Sequence, residues 1–201
     1  MGLRERKKEK TRLALLDAAL DLFLEQGYDA TTVEQIAGAV DISPRTFFRY
    51  FPTKDHVPLW FHEQGEETMQ EALDSRPADE PAFTAMVHAL RAVIQDMQGT
   101  TPEDTERFLK LRKVFDANPA LVGKSVARGT ATERRLTEVI AGRRGVDPAD
   151  PLSALIVAWA MATMRVGFEC PVEPVDLPSM VSRMEQVLEL AERSLRPGWD
   201  A

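Results

Sequence analysis

Residues 31 to 54, TTVEQIAGAVDISPRTFFRYFPTK, constrain the fold more than any other stretch of the chain. They encode two short helices joined by a tight turn. The first runs from about Thr32 to Val40. Thr32 is placed to accept a backbone hydrogen bond as N-cap while Gln35 reaches back to the cap, a capping box. Val33, Ile36, Ala37 and Val40 fall at i, i+3, i+4 and i+7 and make one apolar face. Asp41 and Ile42 form the turn. Ser43 is a good N-cap for the second helix, and Pro44 suits its first position, where the missing N–H costs nothing. The second helix, Pro44 to Phe51, turns Phe47, Tyr50 and Phe51 inward and leaves Arg45, Thr46, Phe48 and Arg49 available. So short a helix cannot build a core alone and must dock on its neighbours. The pattern is that of a helix-turn-helix, whose second helix enters the major groove of DNA. Arginine is the usual bidentate partner of guanine, so Arg45 and Arg49 are candidate base readers, and Thr46 suits a phosphate or a thymine methyl.

From Thr11 to Lys54 the chain resembles the TetR family of transcriptional regulators. Leu13, Leu16, Leu20 and Phe23 look like the core stripe of the family's first helix, and Gly27-Tyr28 like the break that ends it. TTVEQIA looks like its second helix, and ISPRTFFRYFPTK is close to its recognition helix and following turn. The resemblance implies an all-α chain: an N-terminal three-helix DNA-binding head at 1–54, then a helical ligand-binding and dimerisation body at 55–201. It implies a repressor that binds a palindromic operator in double-stranded DNA as a homodimer and is released by a small hydrophobic or amphipathic effector. The implied DNA-binding residues are Thr32, Ser43, Pro44, Arg45, Thr46, Phe48, Arg49, Tyr50 and Lys54, with Thr32, Tyr50 and Lys54 meeting the phosphate backbone. Two departures stand out. Phe48 occupies a position where the family often has tyrosine, so a hydroxyl contact to phosphate is absent. Pro58 falls in the expected first turns of helix four, where proline loses a hydrogen bond and clashes with the preceding turn. That helix is therefore expected to start late, nearer Asp55, or to be kinked.

A net charge of −7 looks wrong for a DNA binder, but its distribution answers the objection. Residues 1–12 carry Arg4, Arg6, Lys7, Lys8, Lys10 and Arg12 against Glu5 and Glu9, residues 1–55 are neutral in sum, and all the net acidity lies beyond. Phosphate binding is local and screened beyond about 8–10 Å, so the patch decides and the total does not. By itself such a basic arm reads as a frayed, solvated terminus; beside this motif it reads as a phosphate contact.

The remainder shows helical punctuation and no strand-like alternation. Helices are expected at about 55–75, 81–97, 102–117, 119–142, 151–168 and 178–195. The segment PLSALIVAWAMATMRVGF has apolar or small residues on nearly every face and reads as buried all round. Leu152, Leu155, Ile156 and Trp159 suit a core face, and Ala158, Ala162 and Val166 a partner face. The resemblance implies that the last two helices pair with those of a second subunit; the alternative is burial within one subunit.

The resemblance also implies a ligand pocket, with Trp60, Phe61, Met86, Phe108, Phe115, Met161 and Met164 as candidate lining. Such residues at helical spacing also read as plain core. Arg112 and Arg165 are candidate polar contacts. Arg165, in the most apolar segment, either pairs with Glu169 at i+4 or meets an anionic ligand group. His62 and Glu66 sit at i, i+4 but lack the further ligands of a zinc site, and Cys170 has no second cysteine to resolve an oxidised form. No glycine-rich phosphate loop or nucleophile elbow occurs, so no enzyme, metal or cofactor is expected. The first residues lack a signal-peptide core, and no run of about 18 apolar residues indicates a membrane span. The expected location is the cytoplasm.

Overall fold

A computed structural model describes residues 2–99, 101–169 and 174–194. Among them the regular structure is entirely helical: α1 (Leu3–Gln26), α2 (Val33–Ala39), α3 (Pro44–Phe47), a 3-10 turn (Lys54–His56), α4 (Trp60–Asp74), α5 (Ala82–Gln98), α6 (Pro102–Ala117), α7 (Pro119–Arg144), α8 (Pro151–Glu169) and α9 (Leu177–Ser194). Cys170 and Leu195 lie outside the described residues. By packing the chain forms two units, Met1–Glu63 with Pro102–Ser125, and Gln64–Thr101 with Val126–Ala201.

In the first unit α1 packs on α2 and α6, and α2 packs on α3. Leu16, Leu20 and Phe23 from the expected α1 stripe are buried with Leu15, and Leu13 packs half-buried against them. Ile36, Ala37, Phe47 and Phe51 join this core from the helix-turn-helix, and Leu111, Val114 and Leu121 join it from α6 and the start of α7. Packing thus groups α6 with the N-terminal helices, although the two lie on opposite sides of the sequence boundary at residue 54. Charge reinforces the contact. Arg107 forks onto Asp17 with distances of 2.6 and 2.8 Å, and Lys110 meets Asp21 at 2.7 Å. Gly27 closes α1 at φ +90°, a conformation that side-chain-bearing residues resist. Helix α1 begins at Leu3, so Arg4, Arg6, Lys7, Lys8, Lys10 and Arg12 ride on a helix instead of a frayed arm.

Pro58 has the expected effect on α4, displaced further along the chain. Residues 54–56 form a 3-10 turn, Trp60 N–H bonds Val57 at 3.3 Å, and the first i→i−4 bond is Glu63 N–H to Leu59. Proline therefore precedes the helical ladder and needs no N–H. Helix α4 starts at Trp60 and not near Asp55.

In the second unit α5, α8 and α9 pack on one another. Gly167 sits at the α8–α9 crossing. A Cβ there would lie 3.1 Å from Met184 Cγ and 3.2 Å from its Cα, so glycine permits the approach. Ile156 is buried and Trp159 packs on Phe83 with ring centroids 4.6 Å apart. The expectation for the rest of α8 requires correction. The helix is not buried all round, and Leu152 and Leu155 are exposed, not core. Their positions explain this: 152, 155, 158, 162 and 166 recur at three- and four-residue steps and form one stripe opposite the buried row of Ser153, Ile156, Val157 and Ala160. By length and composition α8 is also long and apolar enough to cross a membrane, despite the lack of an unbroken apolar run, and a third of that window is buried.

Candidate nucleic-acid interface

Both halves of the capping box are present. Gln35 N–H donates to Thr32 Oγ1 at 3.2 Å, and Thr32 N–H donates to Gln35 Oε1 at 2.8 Å. Because Thr32 Oγ1 serves as acceptor, its own O–H proton stays available on an exposed residue, as a phosphate donor requires. The box is anchored from behind. Gln26 Nε2 donates to Gln35 Oε1 and to Thr31 Oγ1, each at 3.1 Å, and Thr31 donates to Gly27 O at 2.8 Å. The end of α1 thereby fixes the start of α2.

The turn is a Schellman motif built on aspartate. Asp41 takes φ +56°, its N–H bonds Gly38 O at 3.1 Å, and Ile42 N–H bonds Ala37 O at 3.0 Å. Aspartate tolerates this left-handed conformation better than most residues. Ser43 then caps α3, accepting from Thr46 N–H at 3.2 Å, and the two hydroxyls lie 2.9 Å apart. Helix α3 ends at Phe47, earlier than the expected Phe51, and residues 48–50 continue as turn. The bonds of this stretch tighten to i→i−3, Arg49 N–H to Thr46 O at 3.1 Å and Tyr50 N–H to Phe47 O at 2.8 Å, and Pro52 keeps helical conformation from extending through Phe51.

Phe47 is fully buried and packs on Phe51 at 5.7 Å between ring centroids. These two rings bolt the reading segment to the core, and Tyr50 packs half-buried against the same cluster. Arg45, Phe48 and Arg49 remain exposed. The sequence-assigned residues from Ser43 to Tyr50 thus lie on one contiguous segment, and two arginines stand clear of it.

Lys54 has other partners. Its ammonium donates to Tyr28 O at 2.7 Å and Thr31 O at 2.9 Å, and lies 4.2 Å from the centroid of the Tyr28 ring. Two of its three N–H donors therefore hold the α1–α2 loop, leaving one for a phosphate. Charge-assisted bonds of this kind contribute about 1.5–3 kcal/mol each. Lys54→Met is expected to lower the stability of the chain by about 2 kcal/mol or more, read as a reduced urea midpoint. A mutant with wild-type stability and only a shallower salt dependence of DNA binding would show that the carbonyl contacts contribute nothing.

Beside it sits a group that spacing in sequence gave no signal for. Tyr28 O–H donates to Asp55, and Lys124 Nζ from α7 donates to the other oxygen of Asp55 at 2.6 Å. Burial, aided by the Asp55 carboxylate, pushes the Tyr28 phenol well above its ordinary value. Burial opposes ionisation of Asp55, but the bonds from Lys124 and Tyr28 outweigh it and hold the carboxyl below its ordinary range. The 3-10 turn is thus tied both to the α1–α2 loop and to α7.

The candidate ligand residues divide between the units. Trp60, Phe61, Phe108, Arg112 and Phe115 belong to the first, and Met86, Met161, Met164 and Arg165 to the second. Within the first, Trp60 stacks edge-on to Phe61 at 4.9 Å and Phe61 edge-on to Phe108 at 5.9 Å, while Phe115 lies 5.9 Å from the His62 ring. Trp60 Nε1 is buried and, among the described residues, has no hydrogen-bond partner. Within the second, Met86 is core, Met161 and Met164 are half-buried, and Arg165 is exposed and pairs with Glu169 at 3.4 Å. Glu66 is held by Arg128, Arg135 and Thr132, and among the described residues no three His, Cys, Asp or Glu gather as metal ligands.

Comparison with known proteins agrees with this geometry. The model for bacterial regulatory proteins of the tetR family matches residues 15–57, and that of the MftR C-terminal domain matches residues 83–196. The HTH-type transcriptional regulator TcmR of Streptomyces glaucescens is 41% identical over 168 residues, 82% of this chain and 74% of TcmR. The chain belongs to the TetR family. A second TetR relative, MftR of Mycobacterium tuberculosis, named for regulation of mycofactocin biosynthesis, is 27% identical over 78% of this chain and 76% of its own length. Two crystal structures share the TetR fold. One, from Syntrophomonas wolfei, has a TM-score of 0.55 at 16% identity and covers 92% of this chain and 95% of its own. The other, from Mesorhizobium loti, has a TM-score of 0.50 at 17% identity, covering 92% and 96%. This TetR-family chain is a DNA-binding transcriptional regulator, with its helix-turn-helix in the N-terminal match and a helical body after it.

Proposed function

We propose that the chain is a homodimeric repressor that binds a palindromic operator and is released by a small hydrophobic or amphipathic effector. The observation that carries the reading is the pair Arg45 and Arg49, exposed on a segment that Phe47 and Phe51 hold to the core. We assign residues 1–54 to DNA binding and residues 55–201 to ligand binding and pairing, acting in the cytoplasm where the operator is. One helix-turn-helix reads a half-site, so two half-sites on successive major grooves, about 34–36 Å apart, need two chains. The exposed stripe of α8, with Leu155 at 64% exposure, supports pairing through the last two helices. Selection from a random duplex library tests the whole proposal: an inverted repeat is expected, and transcription from a promoter containing it should fall when the chain is present. Leu155→Glu should sediment as a monomer and bind the selected duplex at least tenfold more weakly, because a charge on an apolar contact is poorly solvated. Enrichment of a single half-site by an undiminished dimer would refute the arrangement.

The effector reading rests on the aromatic group around Trp60. A buried, unpartnered N–H is costly by about 1–3 kcal/mol, and an acceptor atom on an apolar ligand would remove that cost. Compounds that release the selected duplex should act less well on Trp60→Phe and Phe108→Ala. Equal release from wild type and both variants would put the sensing site elsewhere.

A further inference from the structure

We propose that Phe48 is a specificity-determining residue that reads the 5-methyl group of thymine in the major groove; this deepens the operator-binding reading and rests on it. Phe47 and Phe51 are 0% and 2% exposed, whereas Phe48 between them is 52% exposed. Its ring stands edge-on to Phe47, with centroids 5.5 Å apart and planes at 89°, which fixes it from one side and leaves the other side bare. Its backbone N–H is held by Pro44 O at 3.2 Å, so the ring projects from an ordered cap of α3. The bare side of the ring is apolar surface that gains free energy when an apolar partner covers it.

The neighbours say what covers it. Arg45 and Arg49 flank it on the same exposed segment, and both present donors suited to guanine edges or phosphates. A phenyl ring offers neither donor nor acceptor, so phosphates and the polar base edges give it nothing. The one apolar group on the floor of the major groove is the C5-methyl of thymine, and phenylalanine is among the side chains suited to it. Thr46 carries the one methyl group on residues 43–50, but it is half-buried and its hydroxyl is turned to Ser43. Phe48 therefore adds a thymine preference beside the guanine contacts of the arginines.

The test uses the duplex that the wild-type chain selects from a random library, with each thymidine replaced in turn by deoxyuridine, which removes only the methyl. Wild type is expected to lose about fourfold in affinity at one thymidine per half-site, and about fifteenfold when both half-sites are changed, the effect of uncovering one methyl each. Phe48→Ala should bind the thymidine and deoxyuridine duplexes equally, keep its guanine preferences, and lower the urea midpoint far less than Phe47→Ala, because only one edge-on contact of a half-exposed ring is lost. Thr46→Ser, which loses a methyl and keeps its hydroxyl, should retain the wild-type response. Three results overturn the assignment: no deoxyuridine position weakens wild type, the sensitivity persists in Phe48→Ala, or it disappears in Thr46→Ser. If no duplex is enriched at all, the operator reading falls first and the assignment falls with it.

Discussion

Phe47→Ala is expected to destabilise the chain by about 3–5 kcal/mol and to abolish DNA binding. Phe47 is fully buried, and α3 spans only four residues, so the ring is the main anchor of the reading segment. A stability of about 5–15 kcal/mol is typical of a domain, so one truncation removes a large share of it. The cavity adds to the loss because Phe51, itself 2% exposed in the core, cannot move far enough to fill it, and Phe48 loses its edge-on contact as well. Urea unfolding followed by circular dichroism should show a lower midpoint with an unchanged slope. The adjacent substitution Phe48→Ala is the control: it removes a half-exposed ring that touches Phe47 edge-on, a contact of about 0.5–1.5 kcal/mol, and opens no buried cavity. Equal midpoints for Phe47→Ala and wild type would mean that the helix-turn-helix is held by something other than this core.

Arg45→Ala and Arg49→Ala are each expected to weaken operator binding by about 1–3 kcal/mol and to relax specificity at one position per half-site. Both side chains are exposed, so neither change should alter folding. This separates them from the basic residues of α1. Removing Lys8 or Lys10 is expected to weaken every sequence alike and to reduce the salt slope by about one, the signature of a lost phosphate contact. Affinities measured across single-base variants of the selected duplex decide between the two behaviours. If both arginine variants kept full discrimination, base reading would have to be assigned to other residues.

Local signals in the sequence were the dependable ones. Thr32 with Gln35, and Ser43 with Pro44, define helix starts through bonds spanning three residues, and those bonds are present as read. Arg165 with Glu169 is another local pair, and the solvent-facing ion pair is the reading that the geometry favours. Helix ends were less legible. Helix α3 tightens into turn after Phe47, and Pro58 delays the start of α4, so α3 stops sooner and α4 starts later than apolar periodicity alone suggests. Tertiary partners were not legible at all. Nothing near Lys54 in the sequence indicates that the carbonyls of Tyr28 and Thr31 will face its ammonium, or that Lys124 will find Asp55. Apolar composition also failed to separate the faces of α8. It gives how much surface prefers to leave water, and says nothing about which side its own chain will cover.

The uncovered stripe of α8 has a consequence at the scale of the cell. Leu152, Leu155 and Val166 are exposed together on a lone chain, and the proposed pairing would bury them. Association of that kind obeys mass action, so scarce chains would stay apart, with their stripes wet and their stability reduced. A dilution series should then lower the unfolding midpoint and operator binding together. Occupancy of a two-half-site operator would rise with the square of the chain's concentration, and the number of copies per cell would itself become a control on transcription. Halving expression would cut silencing by more than half.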